Sequence, residues 1–304
     1  MQKIPKRRLN GVLLLDKASG VSSNTALQQV RRLYRAEKAG HTGVLDPLAG
    51  GLLPICFGEA TKFAQYLLDA DKAYCATLKL GEQTATGDAE GEIIAHTDHM
   101  PSLDTFQAAC NAFLGEIEQI PPMYSALKHQ GRALYDYARQ GITIERQPRR
   151  VSIHALHLRA YAPPVARLDV TCSKGTYIRT LAEDIARHAG TLAHLSALRR
   201  TATAGFRLEA AHEFAYLQGL DETERDALLL PCDSMLPHIP AITLPESDIV
   251  RLQCGQTVHW TENNAIISVF RVYNAQKTFI GLAQTGTGCL KALRLMSTEA
   301  KTSA

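Results

Sequence analysis

The stretch from residue 40 to 62, GHTGVLDPLAGGLLPICFGEATK, constrains this chain more than any other. Five glycines and two prolines surround one carboxylate, Asp46, set between Leu45 and Pro47. Glycine gives the backbone freedom for tight or left-handed turns, and Asp-Pro favours turn initiation. The same stretch carries Leu45, Leu48, Leu52 and Leu53, which is too apolar for a floppy surface linker. It reads as a packed loop that holds one acid in a fixed place. An acid that merely caps the turn fits these residues as well.

The segments around the loop form an alternation of strands and helices. Residues 11–15, GVLLL, read as a buried strand. Ser22-Ser23-Asn24 offers caps for a helix with Leu27, Val30, Leu33 and Tyr34 inward and Arg31, Arg32, Arg35 and Lys38 outward. A helix is expected from about Glu59. Residues 72–80 alternate as a strand, with Tyr74, Ala76, Leu78 and Leu80 on one side. Residues 82–91 read as turns, and 103–118 as an amphipathic helix stopped by Pro121-Pro122. Leu168, Val170 and Cys172 alternate as a strand. Thr176 is placed to cap the helix that follows, which buries Ile178, Leu181, Ala182 and Ile185 and ends at Gly190. Arg179 falls in the first turn of that helix, where a cation opposes the helix dipole, so it calls for a specific anionic partner. Prolines at 231, 237, 240 and 245 mark a boundary. Beyond it, a helix at about 247–253 and strands at 265–273, 278–283 and 289–296 make a small, mainly β module.

Charge is informative only locally. The whole chain carries +3, but residues 124–150 hold Lys128, Arg132, Arg139, Arg146, Arg149 and Arg150 against Asp136 and Glu145, with Tyr124, Tyr135 and Tyr137 interleaved. Basic residues among aromatics suit a surface that neutralises phosphates and stacks on bases, although a solvated helical face fits too. Leu198-Arg199-Arg200 extends the basic theme. The basic segment Lys3, Lys6, Arg7 and Arg8 reads as a solvated tail or a phosphate contact. Seven scattered cysteines without zinc spacing argue against a disulfide framework or a metal site and for a reducing compartment. No apolar run is long enough for a membrane span. P-loop, GxGxxG, GxSxG and HExxH motifs are all missing. One fixed carboxylate, tyrosines and a helix-start arginine remain, enough for catalysis without a cofactor.

Three stretches, GHTGVLDPLAGGLLPICFGEATK, KAYCATLKLG and CSKGTYIRTLAEDI, together with IEQIPPMYSALKHQGRALYDYARQGI, resemble in order the motifs of bacterial TruB-type tRNA pseudouridine(55) synthases. The match runs from about residue 11 to 201. Lys17-Ala18 stands where the family usually has Lys-Pro, a difference expected to loosen one turn without touching chemistry. The C-terminal module resembles the family's PUA-like domain more weakly.

The resemblance implies that uridine 55 of the tRNA T loop is flipped out and isomerised. It gives Asp46 the role of nucleophile, or a part in glycal formation, and makes Arg179 its partner. Tyr74 would stack on the uracil and serve as base, although a lone strand tyrosine otherwise reads as packing. His41, Tyr177 and Leu198 match positions lining the flipped nucleotide, His41 alternatively being a turn histidine bonded to backbone. Lys128, Arg132, Arg149 and Arg150 match contacts to the RNA backbone. The expected architecture is α+β: a mixed-sheet catalytic domain flanked by helices over residues 1–235, with an RNA-binding insertion at 124–150 and a PUA-like domain at 243–304. The expected protein is a cytoplasmic monomer that takes the T arm of tRNA, with no cofactor, metal, membrane or protein partner. A non-catalytic tRNA-binding protein and an RNA-guided, partner-dependent synthase are the rival readings. Intact Asp46, Tyr74 and Arg179 weigh against the first, and the 124–150 insertion against the second.

Overall fold

The computed structural model describes residues 5–260 and 268–297. Its principal elements are β1 (Gly11–Lys17), α1 (Ser23–Leu33), β2 (Ala39–His41), β3 (Ala49–Phe57), β4 (Lys72–Leu80), α2 (Leu103–Ala112), β5 (Gly115–Gln119), β6 (Arg149–Ala162), β7 (Val165–Cys172), α3 (Ile178–His188) and β8 (Ala193–Thr203). The large sheet runs His212–Glu213, β1, β3, β8, β4, β7, β6, β5, with β2 added to β3. It is mixed: β3 and β8 are parallel, whereas β8, β4, β7, β6 and β5 pair antiparallel in turn.

Burial explains the sequence patterns of the strands. One face of the sheet takes α1, α2 and α3 through Leu27, Val30, Phe106, Leu181 and Ile185. Behind β1 and β3 a second core forms from Val12, Leu14, Leu52, Cys56, Phe63, Met235 and Leu236. Strands covered on both faces need continuous apolar runs, which is why all nine residues of β3 are buried. In β4 the buried positions are Tyr74, Ala76, Leu78 and Leu80, the alternation of a strand covered on one face. Truncating a leucine of β3 such as Leu53, fully buried, should cost about 2–5 kcal/mol.

A second, five-stranded sheet orders Ala241–Thr243, Val269–Tyr273, Phe279–Gly286, Cys289–Leu295 and Val258–His259 beside a helix at Glu246–Gln253. Its Leu282 enters the second core, and Arg271 and Tyr273 both reach Asp233. The architecture is therefore α+β, with a mainly β C-terminal part. Among the described residues no helix is long and apolar enough to cross a membrane.

Several local expectations are corrected. Only residues 42–48 of the motif around Asp46 are loop: Gly40 and His41 end β2, and Ala49–Phe57 is the buried strand β3. Instead of a helix from Glu59 there is a 3-10 turn, Gly58–Lys62, and a four-residue helix, Gln65–Leu68. Lys62 there bonds Glu59, the carbonyl of Leu295 and Ser297, which ties the turn to the C-terminal sheet. The helix expected over 103–118 stops at Ala112, because Gly115 turns at φ 92° and the chain re-enters the sheet as β5 beside β6. The cap of α3 is Tyr177 with no side-chain bond, while the Thr176 hydroxyl donates to the Ser173 carbonyl. Only Leu134–Ala138 is helical within the basic segment. Strands β6 and β8 were not anticipated. The residue 82–91 turns begin with a short ladder, Glu82–Thr84 against Ile93–His96. Lys3, the start of the expected 265–273 strand and the end of the 243–304 domain lie outside the described residues.

Candidate active site

Asp46 is held by main-chain bonds on either side of it. The Ser23 hydroxyl, buried at the start of α1, accepts from the Leu45 N–H at 2.8 Å and donates to the Leu45 carbonyl at 2.9 Å. The Ala49 N–H donates to the Asp46 carbonyl, and the Gly20 N–H to that of Pro47. The Lys17 ammonium, buried at the end of β1, donates to the carbonyls of Ala18 and Val21 and reaches that of Pro47 at 3.4 Å. Burial brings its pKa down to about 8, against the pull of Asp46. The lysine thus ties the turn at Ala18 to the loop that carries Asp46.

The anionic partner of Arg179 is Asp46, at 3.0 Å from Nη2 to Oδ2. Arg179 is buried and spends the rest of its fork on the carbonyls of Thr86 at 2.8 Å and Tyr124 at 2.7 Å, with Asp88 at 3.7 Å from Nε. Asp46 keeps 42% of its side chain exposed, so it is anchored yet accessible. Its surroundings still desolvate it, which pushes its pKa above the usual carboxylate value; Arg179 opposes this and Asp88 adds to it.

Two adjoining cavities, about 340 and 450 Å³, share Asp46 and Arg179 on their walls. The first is also lined by Tyr74, Tyr177, Leu198 and Arg149, and the second by His41, Tyr135 and Arg139. The fold therefore brings Asp46, Arg179, Tyr74, Tyr177 and Leu198 to one cavity, with His41 on the far side of the acid. Tyr74 is buried, which raises its pKa, an effect that Arg200 counters. His41 is half-buried; its Nδ1 has no hydrogen-bond partner, and desolvation together with Arg200 lowers its pKa.

The basic residues divide. Arg149 belongs to the cavity wall: it donates to the Gly175 carbonyl and lies 4.7 Å over the Tyr177 ring. Arg132 bonds the Asp136 carbonyl and lies over Tyr137. Lys128 and Arg150 are exposed, Arg150 beside Glu116 at 3.3 Å. Arg31, Arg35 and Arg7 are half-buried and bonded within the fold. Arg31 bonds the carbonyls of Ala36 and Glu37, Arg35 pairs with Glu222, and Arg7 with Asp226 and Glu222. Arg32 alone of the α1 trio is exposed.

Three neighbours were missed from sequence. Asp88 sat unread among turn residues; it is buried behind Arg179, bonded by the Thr86 hydroxyl at 2.6 Å and the Glu90 N–H at 3.1 Å. Gln119 exchanges two hydrogen bonds with the backbone of Tyr177 and so sets the start of α3. Arg200, read as part of a basic surface run, is fully buried. Strand alternation is the signal that separates it from its exposed neighbour Arg199. Among the described residues no cluster of His, Cys, Asp and Glu is placed to hold a metal ion, and all seven cysteines are free.

Comparison with known sequences and structures bears on this site. A sequence model of the TruB family pseudouridylate synthase N-terminal domain matches residues 31–178. Models of the tRNA pseudouridylate synthase B C-terminal domain and of the pseudouridine synthase II TruB C-terminal region match 179–237 and 240–296. The chain is 60% identical over 300 residues to tRNA pseudouridine synthase B of Neisseria meningitidis serogroup B, covering 98% of each chain. It is 52% identical to the protein of that name from Thiobacillus denitrificans, covering 97% of this chain and 99% of that one. In fold it resembles the archaeal box H/ACA sRNP Nop10-Cbf5 complex, with a TM-score of 0.71 and 21% identity over 95% of this chain and 86% of that one.

Proposed function

This chain belongs to the TruB family of pseudouridylate synthases, and we propose that it isomerises uridine 55 in the T loop of tRNA to pseudouridine. The observation that carries the reading is an accessible carboxylate, Asp46, anchored by a buried arginine at 3.0 Å beside a cavity with a tyrosine in its floor. The names of the relatives support tRNA as substrate. A cavity of about 340 Å³ is of the size of an extruded nucleotide.

In this reading the uridine leaves the stack, at a cost of a few kcal/mol that is smallest for a loop nucleotide. Tyr74 stacks on the uracil, with Tyr177 and Leu198 as neighbouring walls and His41 filling the space the base leaves. Asp46 attacks the nucleotide, or assists glycal formation, as the C1′–N1 bond breaks. Arg179 keeps its charge oriented. The freed uracil turns and C5 bonds to C1′ as the Asp46 carboxylate leaves that carbon (by the glycal route, as the C2′ proton returns), and the Tyr74 oxygen takes the C5 proton. N1 ends protonated, so the reaction conserves atoms, protons and electrons and needs no cofactor. Lys128, Arg132, Arg149 and Arg150, on and beside the segment 124–150, meet the backbone of the T arm, and the C-terminal β module extends the RNA surface. The enzyme acts as a cytoplasmic monomer without a protein partner.

The test is to incubate the pure protein with unmodified tRNA and map pseudouridine by a carbodiimide block to reverse transcription. A single T-loop stop at uridine 55 is expected. Stops elsewhere only, or none, overturn the proposal, and tight binding without any stop favours a binding protein.

A further inference from the structure

Among the described residues Arg200 is the largest side chain with no exposed surface. Its Nε donates to the Leu52 carbonyl at 2.7 Å, which fixes the plane of the guanidinium. Nη1 and Nη2 make no hydrogen bond of ordinary length, no carboxylate among the described residues pairs with them, and the group that acts on the guanidinium is the Tyr74 phenol. A buried, unpaired cation is costly, so a structure that retains one calls for a partner. Arg200 lines the cavity that holds Asp46, and it lies directly across from Tyr74 in the β8–β4 ladder. The register shifts just beyond it, between Arg200 and Ala202. Such irregularities re-aim side chains beside active sites. The backbone of Arg200 is held by close approach of β3: a Cβ on Gly51, at φ 97°, would stand 2.4 Å from the Arg200 carbonyl oxygen.

We propose that Arg200 is a positioning residue for the reaction, acting on substrate through the Tyr74 hydroxyl. This rests on the reading of Tyr74 as the base. An arginine has donors only, so toward it the phenol oxygen must accept, leaving the phenol hydrogen to point elsewhere. When the C5–H bond breaks, its electron pair restores the C5–C6 double bond and the proton passes to the Tyr74 oxygen. A neutral phenol is a poor acceptor at neutral pH, whereas an oxygen facing a fixed guanidinium holds negative charge more readily. Arg200 has no exposed surface of its own and faces Tyr74 across the β8–β4 ladder, so its effect on the uracil runs by way of the phenol. The other charged and titratable groups around the phenol work the opposite way: Asp46 from the loop and Cys172 from β7 raise its pKa, and Arg200 is what lowers it. The Lys72 ammonium on the same strand is turned to the carbonyls of Leu68 and Ala70.

The test compares single-turnover rates across pH for wild type, Arg200→Met, Arg200→Lys, Tyr74→Phe and the double variant Arg200→Met with Tyr74→Phe. A general base contributes about 10²–10⁴-fold. Arg200→Met is therefore expected to lose roughly 10–100-fold at neutral pH and to recover as pH rises, its rising limb displaced upward. Arg200→Lys, which keeps the charge, is expected to restore part of the rate and return the limb toward that of wild type. In the Tyr74→Phe background, removal of Arg200 should cost less than about 2-fold, because two residues acting as a unit are not additive. Equal losses in both backgrounds, with the limb unmoved, would make Arg200 structural and overturn the proposal alone. Full turnover by Tyr74→Phe overturns the base reading and the proposal with it. If Arg200→Met does not fold, Arg200→Gln, a donor without the charge, carries the same two readouts.

Discussion

Replacing Arg179 by methionine removes one guanidinium that serves four acceptors. Asp88, with its side chain 5% exposed, loses the cation that pairs with it but keeps the Thr86 hydroxyl and the Glu90 N–H. The carbonyls of Thr86 and Tyr124 lose their donor. Asp46 is 42% exposed, and solvent makes up most of its loss. Breaking a buried pair from one side costs about 3–5 kcal/mol, and the surviving partners of Asp88 put this case near 3 kcal/mol by the same scale. Turnover should fall further than stability suggests. Asp46 loses its anchor, and a misplacement near 1 Å costs about 10²-fold. Arg179 is also the main influence holding the Asp46 pKa down against burial. A nucleophilic carboxylate must be ionised, so the rate falls as pH drops through its pKa, and the acid limb should move up in the variant. Arg179→Lys should rescue little, since one ammonium cannot fork to Asp46, Thr86 and Tyr124 together. Urea unfolding and single-turnover isomerisation across pH measure both effects. A variant destabilised by less than about 1 kcal/mol, with its acid limb unmoved, would refute this account of Arg179.

Tyr74→Phe should retain stacking and tRNA affinity yet lose about 10²-fold or more in turnover, checked by single-turnover rates beside filter binding. Arg150→Ala with Lys128→Ala should flatten the slope of log affinity against log salt by roughly 1.5 units, at about 0.7–0.9 per phosphate contact, and leave saturated turnover little changed. Arg149→Ala should lower saturated turnover as well as affinity, because Arg149 packs on the Tyr177 ring in the cavity wall. Gly51→Ala should impair folding, since its Cβ meets the Arg200 backbone nitrogen and oxygen at 2.8 and 2.4 Å; a soluble variant with native thermal stability contradicts that packing.

How much of this was legible in the sequence depended on whether burial left a clean period. Strand β4 alternates because one of its faces is covered, and β1 is continuously apolar because both are, so each reads directly. Strands β6 and β8 do not. Register shifts between Ile153 and Ala155, Leu158 and Ala160, Leu195 and Ala197, and Arg200 and Ala202 break the two-residue period. With β8 unread, the alternation that separates buried Arg200 from exposed Arg199 was unread too. Helix α2 ran long on paper because Phe113, Leu114 and Ile117 extend its apolar spacing, yet Leu114 is exposed and Ile117 belongs to β5. For the site, the position of Arg179 against the helix dipole pointed to an anion from physics alone. Asp46 was marked by its glycine-rich frame. Tyr74, Tyr177 and Leu198 came only through resemblance, since a strand tyrosine or leucine carries no local mark of chemistry. Asp88 and Gln119 act through contacts made by folding, with Arg179 across 91 residues of chain and with Tyr177 across 58.

The central claim is that Asp46 does chemistry on a bound uridine instead of merely closing a turn. Asp46→Asn keeps the shape of the side chain and removes its charge. With unmodified tRNA, this variant is predicted to bind within a few-fold of wild type and to form no pseudouridine in the T loop, even with enzyme in excess over long incubation. A carbodiimide-dependent stop at that uridine in a preparation free of wild-type enzyme would contradict the account.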